Sequence, residues 1–271
     1  MTSLKSILKG SLRRKVKKSI IQSIPSSFDV IGDIAVFNKF PIQLVRKEKL
    51  IARTLMSLHK NVKVVLKKIK PVSGKYRTQR LKVISGELRK ETTHKESGCL
   101  IRVNVEKCYF SPRLSGERLR IAKMVQGGER VLVLFSGVGV YPCVIAKNAK
   151  PKEVYGIELN KVAHRYAEQN IKLNRLQNVY LVNGDVKDEL PKLEGKFDRI
   201  VMPLPKDSPT FLEPAVKKVK PGGMIHLYLF AREDEFGQIL ERYRKAFDKV
   251  ELVKCGAYSP RVYRICLDLK A

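Results

Sequence analysis

The chain predicts a doubly wound α/β sheet with a terminal antiparallel hairpin, preceded by a small α+β domain. Three observations carry this. Arg130–Asn160 reads as buried strand, glycine turn, helix, second strand and carboxylate, the order of a nucleotide-binding βαβ unit. Strand and helix signals then alternate regularly through the second half. Two β-rich runs, Val250–Cys255 and Tyr263–Leu269, follow the last helical pattern.

Residues 1–24 place apolar side chains at helical spacing (Leu4, Ile7, Leu8, Leu12, Val16, Ile20, Ile21) beside a basic face at Arg13–Lys18, and Pro25 ends the pattern. Phe28–Phe37 alternates apolar and polar about Gly32-Asp33, as a hairpin or bulged strand does. Glu48–Lys60 reads as a short helix, with strands expected over Val62–Ile69, Lys75–Glu87 and Leu100–Val105. After the break at Pro112, a helix is expected from Ser115 to Val125. The continuous apolar run Val131–Phe135 suits a strand buried on both faces. Ser136-Gly137-Val138-Gly139 breaks it before a helix that begins at Val140, and a second strand, Val154–Ile157, ends in Glu158. A helix (Val162–Leu173), a strand (Val179–Val182), a strand (Phe197–Met202), a helix (Phe211–Lys218), a turn at Pro221-Gly222-Gly223, a strand (Met224–Phe230) and a helix (Glu233–Ala246) lead to the final pair. The expected domains are 1–25, 26–105 and 106–271.

The chain carries 55 Lys and Arg against 26 Asp and Glu, so a polyanionic partner is expected, nucleic acid or an acidic membrane surface. Residues 1–105 hold 25 of the cations against 6 acids, which points to a basic binding module ahead of a catalytic domain. Solvated basic faces are the alternative. No apolar run is long enough to span a membrane, and no secretion signal is evident. The five cysteines show no C-x-x-C spacing and the four histidines no ligand spacing, so reduced thiols in a cytoplasmic protein and no metal site are expected.

The glycines of the βαβ unit allow close backbone approach to a ligand, and the helix start offers unpaired N–H groups. Glu158 at the strand tip suits two ribose hydroxyls. Two glycines without a third fit S-adenosylmethionine better than a pyrophosphate, although a plain structural turn and a dinucleotide site stay open.

A resemblance rests on motifs taken together: Tyr76-Arg77-Thr78, Tyr109-Phe110-Ser111-Pro112-Arg113, Gly116-Glu117-Arg118, Phe135–Gly139, Met202-Pro203-Leu204-Pro205 and Tyr258-Ser259-Pro260-Arg261. In this order they resemble the archaeal and eukaryotic tRNA (guanine-37 N1)-methyltransferase family over residues 26–271. The resemblance implies a Rossmann-like class I methyltransferase domain, S-adenosylmethionine as cofactor and the anticodon stem-loop of tRNA as partner, with a cytoplasmic monomer expected. It implies Glu117 as proton acceptor at guanine N1, Arg77 on the base oxygen, and Pro205 in the catalytic loop. On the cofactor it implies Tyr109, Arg113, Phe135, Gly137, Gly139, Glu158 and Asn160, Asp185 at the adenine, and Pro203. The family's additional N-terminal domain is expected to be missing or reduced to the basic helix. A sister family, which transfers an aminocarboxypropyl group onto a wyosine precursor, shares nearly the whole pattern. The sequence departs from the family at Pro203, where Asn is usual. Proline has neither an N–H nor a polar side chain, so a hydrogen bond from that Asn to the base is lost. A tRNA-binding protein without catalysis is the reading from another class that this departure motivates.

Overall fold

A computed structural model describes Pro25, residues 27–203 and residues 208–271. The helix expected over residues 1–24, and Pro205, lie outside these residues. The chain forms two compact units, residues 1–94 with 102–112, and residues 95–101 with 113–271. The division thus falls at 112/113, beyond the expected 105/106, with the segment 95–101 counted in the second unit.

In the first unit, β1 (Asp29–Ile31) and β2 (Ile34–Phe37) form the expected hairpin. Helix α1 (Glu48–Leu58) then crosses to β3 (Val64–Ser73), which runs parallel to β2, and β4 (Thr78–Gly86) returns antiparallel. Ile51, Ala52 and Leu55 fall on one face of α1 and join Ala35, Phe37, Leu44 and Val65 in a sealed core. Glu48, in the first turn of α1, is almost buried and pairs with Lys67 of β3 and Lys82 of β4. The acid therefore complements the helix dipole and fastens helix to sheet.

Strands β5 (Glu91–Glu96) and β6 (Cys99–Asn104) make a separate two-stranded sheet. The sequence reading finds β6 and misses β5, because ETTHKE has no apolar residue to show a period.

In the second unit the order is α2 (Ser115–Met124), β7 (Arg130–Leu134), α3 (Val140–Asn148), β8 (Glu153–Glu158), α4 (Lys161–Leu173), β9 (Val179–Asn183), a short α5 (Val186–Glu189), β10 (Phe197–Met202), α6 (Leu212–Lys218), β11 (Val219–Arg232), α7 (Phe236–Arg244), β12 (Lys249–Ser259) and β13 (Val262–Lys270). The seven-stranded sheet has the order β12-β13-β11-β10-β7-β8-β9. β11, β10, β7, β8 and β9 pair in parallel, and β13 and β12 add the antiparallel hairpin. Val131–Leu134 are fully buried, as the apolar run requires. One expectation is corrected: Pro221-Gly222-Gly223 is no turn before a strand but lies inside β11. There the register with β10 jumps from Phe197↔Val219 to Arg199↔Met224, so the proline and glycines form an irregularity that the ladder steps around. Strand order reverses between β7 and β10, and a crevice at the carboxyl ends of such strands is where ligands bind in open α/β sheets.

Candidate functional site

The segment after β7 sits at that reversal point. Phe135 has φ of 57°, a left-handed backbone unusual for an aromatic residue and a mark of strain where a loop must turn sharply. Gly137 and Gly139 also lie at positive φ. A Cβ on Gly139 would lie 2.9 Å from the Cβ of Ala167, so only glycine lets the start of α3 approach α4 this closely. From α4, the buried Asn170 donates through Nδ2 to the Val138 carbonyl at 2.9 Å and pins the loop from behind.

Glu158, at the end of β8, closes the loop from the other side. Its Oε2 accepts from the Gly137 N–H at 2.7 Å and its Oε1 from the Asn160 N–H at 2.7 Å. Burial pushes the Glu158 carboxyl up, and the N–H groups of Asn160 and Gly137 oppose that rise. The Leu159 N–H is a third backbone donor to this carboxylate, whose two oxygens accept about four bonds, so capacity for about one hydroxyl remains. That acceptor at the strand end, beside the glycine loop, fits the ribose of S-adenosylmethionine.

Asn160 and Asp185 also have local structural work. Asn160 is the N-cap of α4, its Oδ1 accepting from Val162 and Ala163, and Asp185 caps α5 through Lys187. Asn183, exposed at the end of β9, donates to the Glu158 carbonyl at 2.7 Å and ties the two strand ends together. Pro203, half-buried, directly follows β10. Phe135, Gly137, Gly139, Glu158, Asn160, Asp185 and Pro203 thus all follow or end parallel strands on the carboxyl edge of one sheet. Arg113 is exposed ahead of α2 in the same unit.

In the first unit, Arg77 and Tyr109 come together. The Arg77 guanidinium lies 4.9 Å from the Tyr109 ring centre, a cation–π contact, and Arg77 itself has φ of 51°. A long cationic side chain on a strained turn, steadied by a half-exposed ring, is preset to meet an anion or a carbonyl oxygen.

Glu117, in the first turn of α2, is buried within a polar chain. Its two oxygens receive Nε and Nη2 of Arg120, each at 2.7 Å, and Oε1 also accepts from Tyr228 at 2.5 Å. Arg120 reaches on to Asp268 at 2.6 Å, and Asp268 bonds His226 Nδ1 at 2.6 Å. His226 Nε2 meets Arg199, which pairs with Glu129. An arginine only donates, so His226 Nε2 is the acceptor and Nδ1 carries the proton given to Asp268. The sequence reading missed Tyr228, His226 and Asp268, although the signal was present. MIHLYLF and RICLDLK are strand runs buried on both faces, where a histidine or aspartate stands only with a partner.

Among the described residues, His226, Cys266 and Asp268 could together offer three metal-ligand atoms. Arg120 and Arg199 press two guanidiniums against this group, so its electrostatics oppose a cation.

The same chain makes stability sensitive to acid. Burial holds the His226 imidazole below its usual value, and below about pH 6.5 the unfolded chain takes up the proton first. Burial alone would raise the Asp268 carboxyl, but the bonds from His226 and Arg120 outweigh it and hold that group well below the usual carboxylate range. Its contribution is present above the unfolded carboxylate value and is lost as pH falls towards the folded one. Denaturation midpoints should therefore fall on acidification from pH 7 to pH 5, with a shallower fall in His226→Asn. An equal fall in both proteins would remove His226 as the cause.

Residues 92–254 match the TRM5/TYW2 methyltransferase domain family, and residues 5–90 match the TYW2 N-terminal domain. The chain is 41% identical over 263 residues to tRNA (guanine(37)-N(1))-methyltransferase Trm5b of Pyrococcus abyssi, covering 94% of this chain and 78% of that protein. It is 34% identical to tRNA 4-demethylwyosine(37)-methyltransferase Taw21 of Saccharolobus solfataricus, over 92% of this chain and 95% of that one. A solved complex of aTrm5 and tRNALeu superposes with a TM-score of 0.85 at 31% identity, over 99% of this chain and 78% of the other. With the family's domain spanning more than half of its length, and its glycine loop and strand-end carboxylate in place, this chain belongs to the TRM5/TYW2 methyltransferase family.

Proposed function

We propose that this protein is an S-adenosylmethionine-dependent methyltransferase that methylates N1 of guanosine 37 in tRNA, with Glu117 as general base and Arg77 at O6. The observation that carries the reading is the relationship to a guanosine-37 N1 enzyme along 94% of the chain. The surplus of cations in residues 1–105 supports tRNA as the partner, holding phosphates without reading sequence.

Guanine N1 bears a proton and is a weak nucleophile until that proton leaves. Glu117 takes it, and the positive charge of Arg77 stabilises the charge that gathers on O6. S-adenosylmethionine supplies the electrophilic methyl carbon on its sulfonium. Glu158 holds the ribose, Asp185 faces the adenine, and the loop Phe135–Gly139 gives the close backbone approach. Tyr109 and Arg113 are assigned to the cofactor, and Pro203 and Pro205 to the catalytic loop. The target base is swung out of the anticodon-loop stack to reach the methyl group. The protein works as a monomer in the cytoplasm, and among the described residues no helix is long and apolar enough to cross a membrane.

Methyl transfer from labelled cofactor to tRNA transcripts tests this reading. Guanosine 37 should be methylated and adenosine 37 should not, whereas equal labelling of both would reject it. Glu158→Ala should weaken cofactor binding by about 1.5–3 kcal/mol, the scale of charge-assisted hydrogen bonds. Unchanged affinity by calorimetry in a folded variant would rule out Glu158 as the ribose holder.

One observation favours a second reading. The chain spans 95% of the Taw21 protein, which acts on 4-demethylwyosine 37, but 78% of Trm5b. Pro203 likewise removes an amide that a guanine-specific site would use. A tRNA carrying 4-demethylwyosine at position 37, assayed in parallel, separates the two substrates.

A further inference from the structure

We infer that Tyr228 and Arg120, the latter held by Asp268, are positioning residues for Glu117. The inference rests on the reading of Glu117 as the base.

The side chain of Glu117 is only 5% exposed, so its few contacts decide its direction. Oε1 already takes two strong donors, the Tyr228 hydroxyl at 2.5 Å and Arg120 Nη2 at 2.7 Å. Oε2 takes one of these donors, Arg120 Nε at 2.7 Å. With about two acceptor positions per carboxylate oxygen, the Tyr228 hydroxyl and Arg120 Nη2 fill Oε1, and Cys255 is a further hydrogen-bond partner of the carboxylate.

Each donor is itself fixed. Tyr141 donates to the Tyr228 oxygen at 3.1 Å, so the single proton of Tyr228 is turned towards Glu117. Arg120 cannot swing, because Asp268 accepts from Nη1 at 2.6 Å and from Nη2 at 3.2 Å. Asp268 is in turn held by His226 at 2.6 Å, with Cys266 beside it at 3.2 Å. The groups around the carboxylate are thus Arg120 from its own helix, Tyr141 from α3, Tyr228 and His226 from β11, Cys255 from β12, and Cys266 and Asp268 from β13. Of these, Arg120 and Asp268 are the charged pair, and Arg120 touches Glu117 directly.

Tyr228 therefore sets the aim of the base, and truncating its hydroxyl leaves a more weakly oriented carboxylate.

A double-mutant cycle tests this, using the full chain, tRNA with guanosine 37 and saturating S-adenosylmethionine under single-turnover conditions. Tyr228→Phe should slow methyl transfer about tenfold, with tRNA and cofactor affinities unchanged. On a Glu117→Gln background the same change should cost less than about twofold, because Tyr228 acts through Glu117. Asp268→Asn should slow transfer in the same non-additive way and serves as the second variant if Tyr228→Phe does not fold. An equal loss on both backgrounds, or a parental rate in folded Tyr228→Phe, overturns the inference. A parental rate in Glu117→Gln alone rejects Glu117 as base and takes the inference with it.

Discussion

Glu117→Gln is expected to slow single-turnover methyl transfer by about 10²–10⁴-fold, the range for loss of a general base. Glutamine keeps the length of the side chain and one acceptor oxygen for Tyr228 and Arg120 Nη2, and gives up the bond that Arg120 Nε donates to Oε2. What it loses is the capacity to hold the N1 proton. The missing interaction belongs to the transition state, so the affinities for tRNA and cofactor should barely move. Arg77→Ala should slow the same step through lost stabilisation of O6. Lysine would rescue it only in part, because it lacks the planar fork and stacks less well on Tyr109. A parental rate for Glu117→Gln across pH 6–9 would assign the base to another group or to water. Glu117 would then be a helix-start acid in a structural ion pair.

The largest stability effect is expected at the other conspicuous ion pair of the second unit. Arg118, the neighbour of the proposed base, donates through Nε and Nη2 to the two oxygens of Glu96 at 2.5 and 2.6 Å. Both side chains are 2% exposed. The pair fastens the segment 95–101 to helix α2 within that unit. Removing one partner breaks a buried two-pronged ion pair, which costs about 3–5 kcal/mol. Glu96→Ala should therefore lower the denaturation midpoint strongly, whereas replacing both partners with apolar residues should recover much of the loss. Equal stability of Glu96→Ala and the parent would show that water reaches the arginine.

The pair also shows what the sequence could and could not disclose. Gly116-Glu117-Arg118 stood out as a motif, but its arginine acts on Glu96, in a strand invisible to periodicity because ETTHKE is wholly polar. The large sheet was legible because Val131–Leu134 and Ile200–Met202 are buried on both faces and are continuous apolar runs. Pro221-Gly222-Gly223 misled for a physical reason. These residues ordinarily end a strand, yet parallel pairing with β10 resumes past them. At the cofactor end, Glu158 and the glycines were readable from their place after strands, whereas nothing local singles out Asn170 within the expected helix Val162–Leu173. Its partner is a backbone carbonyl 32 positions away, which no local pattern encodes. The same holds for the chain behind Glu117, whose members come from α2, β11 and β13 and meet only in the folded sheet.

Methyl transfer to one atom of one nucleotide can be read from the mass profile of nucleosides in tRNA treated with this protein and S-adenosylmethionine. The expected result is 1-methylguanosine as the new nucleoside, recovered from the fragment that contains position 37. A guanosine methylated on its exocyclic amine, an aminocarboxypropyl adduct, or unaltered tRNA with the cofactor intact would contradict the account.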